Sequence, residues 1–139
     1  MVIGRGPSIY SGLGAVIDSM VVVRLKRGLA SHDFTHWGSR TDYLCARSAR
    51  YDHGAVPFWL LKDRYSQYPS LSKPTTGLCA VLEVFERLKP EAVSVIGFDR
   101  LMHPERPDPP DTWLAHDKFA EHDLLMQLGV RELKENGHR

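Results

Sequence analysis

Apolar residues along the chain gather into short runs that are separated by polar stretches rich in glycine and proline. Runs of this kind, several of them rich in β-branched residues, predict strands. The predicted strands cover residues 1–4, 20–25, 42–45, 57–61, 92–98 and 130–133. The continuous run at 20–25 is typical of a strand that is buried on both faces, which favours a parallel sheet covered by helices.

The clearest helix is predicted over residues 76–88. The apolar positions that define its buried face are Leu78, Val81, Leu82 and Phe85. They recur at helical spacing, either Thr75 or Thr76 is expected to cap the start, and Pro90 ends the helix.

A second helix is predicted over residues 116–128, with Gly129 as its stop. The positions expected to form its core stripe are Phe119, Leu124, Leu125 and Leu128. A weaker helix or turn is predicted at 11–17. Residues 100–112 hold four of the nine prolines, which predicts an irregular surface loop beside a strand end.

The alternation of strands with helices predicts the fold class. A strand, a helix and a second strand at this spacing imply a right-handed crossover between parallel strands. We therefore expect an α/β protein with a Rossmann-like, mainly parallel sheet flanked by helices. Residues 1–133 are expected to form a single domain, and residues 134–139 a frayed tail.

Composition narrows the class of protein further. The chain has 139 residues, an apolar share of 42%, a charged share of 25% and a formal net charge of +1. These values fit one globular domain and give no strong field for nucleic acid. Because neither a membrane segment nor a secretion signal is recognisable, we expect a cytoplasmic protein. Cys45 and Cys79 are expected to be free core thiols.

Three glycine-containing stretches fall where a parallel α/β sheet binds ligands, beyond the carboxyl ends of strands and at helix starts. They are Gly4-Arg5-Gly6-Pro7-Ser8 after the first strand, Lys73-Pro74-Thr75-Thr76-Gly77 before the clear helix, and Gly97-Phe98-Asp99 after the strand that follows it. Glycine permits a ligand to approach the backbone, and Arg5 and Lys73 add positive charge. Each stretch taken by itself is equally compatible with a turn or a helix cap.

The first stretch does not complete the dinucleotide-binding fingerprint, because no third glycine lies at the required place. The second strand is followed by cations instead of the carboxylate that holds an NAD ribose, which argues against NAD. Arg24, Lys26 and Arg27 leave open a domain of the NADP type, in which they would bind the 2′-phosphate.

Histidines provide two further candidates. His116 and Glu121 are separated by four residues at the start of the last predicted helix. His116 is either a general base, since histidine titrates near neutrality, or a helix cap. His32 and His36 have the spacing of two metal ligands on one helical face. No carboxylate or cysteine completes a convincing set around them, so no metal site is expected.

The order of these stretches resembles the sialylmotifs of glycosyltransferase family 29, the eukaryotic-type sialyltransferases. Residues 2–26, with the Gly4 to Ser8 loop, Ile17-Asp18 and Val23-Arg24, resemble the large motif. Residues 74–98, with Thr75-Thr76-Gly77 and Gly97-Phe98, resemble the small motif, and His116 with Glu121 resembles the very small motif. The resemblance spans roughly residues 2–121, although the region 28–72 is shorter than in the family and matches none of it.

The resemblance implies a variant GT-A, Rossmann-like fold that binds CMP-sialic acid and transfers the sugar with inversion, without a metal or other cofactor. His116 is implied to deprotonate the acceptor, with Glu121 as a structural or orienting partner. His103, in the loop of the family's third motif, is implied to assist the leaving phosphate. The residues assigned to the donor are Gly4, Arg5, Gly6, Pro7, Ser8, Lys26, Lys73, Thr75, Thr76, Gly77, Gly97 and Phe98.

Departures from the family concern charge. Arg5 and Lys26 stand where the family has asparagines that contact the nucleotide, and Lys73 stands where it often has tyrosine. The three cations suit a more highly charged donor, such as a diphosphate sugar, or a nucleotide that is bound without turnover. The family's disulfide is not expected, because Cys45 and Cys79 lie at other positions.

Together these features predict a soluble inverting glycosyltransferase of microbial or viral type. Its expected partners are a nucleotide-sugar donor and a glycan or other hydroxyl acceptor, with no nucleic acid and no membrane span; homodimerisation is left open. The alternative is a nucleotide or nucleotide-sugar-binding module without transfer activity, because the short middle region leaves little protein for an acceptor site.

Overall fold

The structure is a computed structural model that describes residues 1–4, 12–25, 36, 38–47, 56–61, 74–108 and 117–134. Within these residues the strands are β1 (Val2–Ile3), β2 (Val23–Leu25), β3 (Tyr43–Ala46), β4 (Phe58–Leu60), β5 (Ser94–Ile96) and β6 (Arg131–Glu132). The helices are α1 (Gly14–Asp18), α2 (Thr76–Leu88), α3 (Asp99–Met102) and α4 (Lys118–Gln127).

The described strands form one parallel sheet in the order β4-β3-β2-β1-β5-β6. The chain steps outward from β1 to β4 and then crosses back to place β5 on the other side of β1. The winding direction therefore reverses between β1 and β5, which makes this pair the switch point of the sheet. The predicted Rossmann-like α/β fold with a mainly parallel sheet is confirmed.

Alternate residues of the strands point to opposite faces of the sheet and build a core on each. Val2, Val23 and Val95 belong to the larger core, which also contains the buried side of α2 and Leu125 of α4. Ile3, Val22 and Ile96 belong to the smaller core, where Leu13 and Ile17 of the α1 region cover them. The sheet is thus covered on both faces, as the continuous apolar runs predicted.

Several elements are shorter than predicted because local hydrogen bonds or a turn of the backbone set their boundaries. The strand predicted at 20–25 begins only at Val23, since the N–H of Met20 still donates to Ile17 O at 3.0 Å in the turn after α1. The helix predicted from 116 begins at Lys118, because the Asp117 side chain accepts from Ala120 N at 3.0 Å and caps it. β5 stops before Gly97, whose φ of 77° turns the chain.

Of two predictions about the second half of the chain, the first is wrong in part and the second is wrong. The stretch 100–112 was expected to be irregular, but its first residues belong to the single-turn helix α3, which ends before Pro104. Phe119 was expected in the core stripe of the last helix, but it is 56% exposed. Leu125 is the fully buried apolar residue of that helix, and the half-buried Leu124 and Leu128 pack against the same core.

Both cysteines are buried free thiols, as predicted. Burial is the main reason why the pKa of the Cys45 thiol is raised, and the neighbouring Glu83 and Cys79 raise it further. A buried thiol with a raised pKa is a poor nucleophile, which fits the place of Cys45 in the core.

Candidate functional site

Gly4 lies at the end of β1 in direct contact with the end of β5. Its N–H donates to Ile96 O at 2.7 Å. A Cβ at this position would lie 2.4 Å from Gly97 O and 2.8 Å from Phe98 Cδ1. The two backbones can approach this closely only because residue 4 has no side chain.

Phe98 links the same point to the start of α2. The side chain is only 5% exposed, and a Cβ at Gly77 would lie 2.9 Å from Phe98 Cε2. One ring is therefore enclosed between Gly4 and Gly77. The structure brings together Gly4, Gly77, Gly97 and Phe98, which the sequence predicted as parts of one site, at the switch point of the sheet.

Thr75 caps α2, and its polar groups are used within the protein. Its hydroxyl accepts from Leu78 N at 3.1 Å and donates to Glu121 Oε1 at 2.5 Å, while its N–H donates to Glu121 Oε2 at 3.0 Å. The hydroxyl hydrogen and the N–H of Thr75 are therefore both donated to Glu121. The N–H groups of Thr76 and Gly77, which have no acceptor within the helix, are the better candidates for binding an anion.

Glu121, for which only the resemblance suggested a structural or orienting role, lies beside the start of α2. Its side chain is fully buried, 0% exposed, and both carboxylate oxygens accept hydrogen bonds from Thr75. It lies in the first turn of α4, a few residues after His116. The carboxylate thus joins the segment that follows His116 to the start of α2.

Arg47, which the sequence did not indicate as a candidate, also contacts the start of α2. It follows β3 directly, and its Nη2 donates to Pro74 O, one residue before the cap of α2. An arginine after a predicted strand was the available signal, but nothing in the linear pattern connects it with Pro74. The bond places a positive charge at the carboxyl edge of the sheet, beside the start of α2.

His103 follows α3 and pairs with a carboxylate of the last strand. Its Nε2 lies 2.8 Å from Glu132 Oε1, and its Nδ1 lies 3.9 Å from Glu105 Oε1. Glu132 is buried and pairs in register with Val95 of β5. The structure therefore gives the His103 ring a buried carboxylate partner, and a role of this histidine on a leaving phosphate stays a prediction.

The residues on either side of 109–116 are held together by charge. Asp108 Oδ1 lies 2.9 Å from Arg100 Nε and 3.2 Å from Lys118 Nζ, and Lys118 also donates to Arg106 O at 2.9 Å. The hydrogen bond from Arg100 is the main cause that lowers the pKa of Asp108, and Lys118 adds to it. This network ties the segment before 109–116 to the first residue of α4.

Several predicted site residues lie outside the described residues. They are His116, Arg5, Gly6, Pro7, Ser8, Lys26 and Lys73. Their roles remain predictions from the sequence. The described residue nearest to His116 in the chain is Asp117, the cap of α4.

Asp18 and Arg24 lie in the stretch that resembles the large motif. Their side chains form hydrogen bonds at the opposite edge of the sheet, where the chain enters β3. Asp18 accepts from Ser39 N at 2.9 Å and from Arg40 N at 2.8 Å. Arg24 is 1% exposed and donates to Arg40 O at 2.8 Å and to Thr41 Oγ1 at 2.8 Å. Both side chains hold the segment that enters β3. Arg24 is therefore not at the surface to meet the 2′-phosphate of NADP.

Replacing Asp18 by asparagine is expected to lower the free energy of unfolding by about 2 kcal/mol at neutral pH, since hydrogen bonds to a charged acceptor are lost. Burial acts to raise the pKa of Asp18, but the N–H groups of Arg40 and Ser39 outweigh it and hold the pKa below its usual value. A depressed pKa means that this contribution is present above about pH 4 and is lost as the pH falls further.

Urea unfolding of wild type and D18N from pH 7 to pH 3 measures this difference. Asp123→Asn, on the exposed side of α4, is the matched control and should change stability by less than about 0.5 kcal/mol. A gap between wild type and D18N that stays constant down to pH 3 would contradict the role of the Asp18 charge.

His36, one of the two histidines considered as metal ligands, accepts from Gly12 N at 2.8 Å through Nδ1; His32 lies outside the described residues. In the part of the chain that the structure describes, no cluster of three or more histidine, cysteine or acidic side chains is arranged to hold a metal ion. Within the same residues, no helix has the length and apolar character needed to cross a membrane.

The parallel strand order, with its switch point between β1 and β5, defines the chain as an α/β protein with a Rossmann-like sheet. Among solved structures, it is similar to a mammalian sialyltransferase in complex with Gal-beta-1-3GalNAc-ortho-nitrophenol, with a TM-score of 0.59 and 17% sequence identity over 96% of this chain and 68% of that chain. At this identity the likeness shows a common fold, so the predicted sialyltransferase-like fold is confirmed. No protein-family model matches the sequence, and no curated protein matches it.

Proposed function

We propose that this chain binds a nucleotide sugar at the switch point between β1 and β5 and transfers the sugar to a hydroxyl acceptor. The proposed reaction is inverting and independent of a metal, with His116 as the general base. CMP-sialic acid is the candidate donor. A glycan is the candidate acceptor, because the structurally similar sialyltransferase is described in complex with a galactose-containing glycan.

The observation that carries the proposal is the meeting of Gly4, Gly77 and Phe98 at the carboxyl edge of the sheet. Ligands of open parallel sheets bind in the crevice at the switch point, where the backbone must be accessible. Here Gly4 brings the ends of β1 and β5 into contact, and both Gly4 and Gly77, at the start of α2, pack on the ring of Phe98. The N-terminus of α2 adds N–H groups that favour the phosphate of a nucleotide.

The proposed chemistry requires one proton acceptor and one place for negative charge. His116 takes the proton from the acceptor hydroxyl. At the same time, the acceptor oxygen forms a bond to the anomeric carbon of the donor, on the face opposite the leaving group. The bond between the anomeric carbon and the phosphate oxygen breaks, and its electron pair leaves with the nucleotide. Arg5, Lys26, Lys73 and the N–H groups of Thr76 and Gly77 are proposed to stabilise that charge.

Calorimetric titration of the full chain with CMP, UDP, GDP and CMP-sialic acid tests the binding step. Amide shifts during the same titration should concentrate at Gly4, Thr76, Gly77 and Gly97. Ser39, at the opposite edge of the sheet, is the internal control and should not respond. Failure of all four compounds to bind, or shifts centred on Ser39, would contradict the proposal.

Donor hydrolysis and transfer to a galactoside, measured with and without a chelator, then test the reaction. Transfer that persists in the chelator supports the metal-independent mechanism. Nucleotide binding without hydrolysis or transfer would favour the alternative, a binding module. Loss of transfer in the chelator would contradict metal independence.

A further inference from the structure

The peptide unit between Pro74 and Thr75 is held from both sides by charged side chains. Its carbonyl oxygen accepts from Arg47 Nη2, and its N–H donates to Glu121 Oε2 at 3.0 Å. The Thr75 hydroxyl adds a second bond to Glu121 Oε1 at 2.5 Å. A positive and a negative charge thus act on opposite ends of one peptide dipole, which favours both hydrogen bonds.

The two side chains come from opposite sides of the switch point. Arg47 follows β3, which lies two strands away from β1 on one side. Glu121 lies in α4, the helix that leads to β6 on the other side. The start of α2 is therefore fixed with respect to both halves of the sheet, and not only to the strand before it.

Burial makes this arrangement costly to disturb. Glu121 is fully buried, Pro74 is buried and Arg47 is half-buried. Removing one partner of a buried charged hydrogen bond leaves the other group without its compensation. The position of the Pro74–Thr75 peptide is therefore strongly determined.

We propose that Arg47 is a positioning residue for the nucleotide-sugar site. Together with Glu121 it sets the position of the Pro74–Thr75 peptide, and through it the direction in which the N–H groups of Thr76 and Gly77 meet the donor phosphate. This inference rests on the proposed function, since it assigns to Arg47 a part in the same site.

The start of α2 has little room to move. Gly77 packs so closely on Phe98 that a Cβ would lie 2.9 Å from the ring. A helix start that is released from Arg47 can shift or tilt only against that contact. Displacement of a ligand-binding group by about 1 Å can cost as much as a hundredfold in rate, so a modest release of the first turn is expected to be visible in donor binding.

Arg47→Met removes the donor to Pro74 O while keeping an unbranched side chain that replaces the stem of the arginine as far as its Nε. The matched control is Arg87→Met at the other end of α2, where Arg87 pairs with Glu83 at 2.5 Å and lies 5.3 Å from the centre of the Trp59 ring. Arg47→Lys keeps the charge but not the planar fork. CMP affinity, the KM for the donor and amide hydrogen exchange of Thr76, Gly77 and Leu78 are measured for the three variants and the wild type.

R47M is expected to weaken CMP binding and to raise the donor KM about tenfold or more, with the acceptor KM unchanged. Amide exchange at the start of α2 should accelerate in the absence of ligand. R47K should recover part of the affinity, and R87M should lose stability without a change in CMP affinity. A purely structural role of Arg47 would instead give R47M and R87M the same profile.

The two proposals fail in distinguishable ways. If the wild-type chain binds none of the nucleotides, the proposed function is contradicted and this inference with it. If the wild type binds CMP and R47M binds it equally well, only the role of Arg47 is contradicted. If R47M does not fold, Arg47→Gln is measured in its place, and its CMP affinity is judged against the wild type in the same way.

Discussion

Replacing Gly4 by alanine is expected to lower the free energy of unfolding by about 3 kcal/mol. The added Cβ would lie 2.4 Å from Gly97 O and 2.8 Å from Phe98 Cδ1. The nearer atom belongs to the backbone of the neighbouring strand end and cannot rotate away, so β1 and β5 must separate. Overpacking of this kind costs about 1 to 3 kcal/mol, and rigid surroundings place Gly4 at the upper end.

Urea unfolding followed by circular dichroism measures this effect through the midpoint at constant slope. Gly129→Ala is the control, since Gly129 has a φ of 75° but no atom of the described residues lies within 4 Å of an added Cβ. That variant should lose only about 1 kcal/mol, the cost of a left-handed conformation for alanine. Equal losses in G4A and G129A would show that the contact between the two strand ends is not close.

Replacing His116 by alanine is expected to reduce the turnover number about 10² to 10⁴-fold, the usual contribution of a general base. Nucleotide affinity should remain within about twofold of the wild type, because the proposed base contacts the acceptor and not the donor. In the wild type, the rate should rise with pH as the imidazole loses its proton, and this rise should be absent from the variant.

His122→Ala provides the matched control on the following helix. His122 Nδ1 donates to Leu101 O at 2.6 Å, a bond between two helices whose loss should cost about 1 kcal/mol of stability. H122A should keep the turnover number of the wild type. If H116A turns over as fast as the wild type, His116 is not the base. It is then simply the residue that precedes Asp117, the cap of α4.

The candidate site could be predicted in part because its components are local signals. Glycine after a strand, threonine before a helix and glycine-phenylalanine after the next strand are each visible in the sequence. Their convergence follows from the parallel sheet, whose carboxyl ends share one edge. Gly4, Gly77, Gly97 and Phe98 lie together in the structure, and their binding of a donor stays a prediction.

Thr75, Glu121 and Arg47 illustrate what the sequence left undetermined. Thr75 offers a hydroxyl and an N–H that suit a phosphate as well as a carboxylate of the protein itself. Only the packing of α4 against the start of α2 brings the Glu121 carboxylate to that position. The contact joins residues 46 positions apart, and no local pattern specifies which of the acidic side chains fills it.

Local sequence patterns by themselves determined the alternation of strands and helices, the burial of the strands and the glycines at their carboxyl ends, because hydrophobic periodicity and turn chemistry act over a few residues. The tertiary structure alone decided that Asp18 and Arg24 hold the opposite edge of the sheet, and that Arg47 and Glu121 share one peptide unit. Such pairings depend on which segments the whole fold brings within hydrogen-bond distance, and that distance is a property of the packed chain.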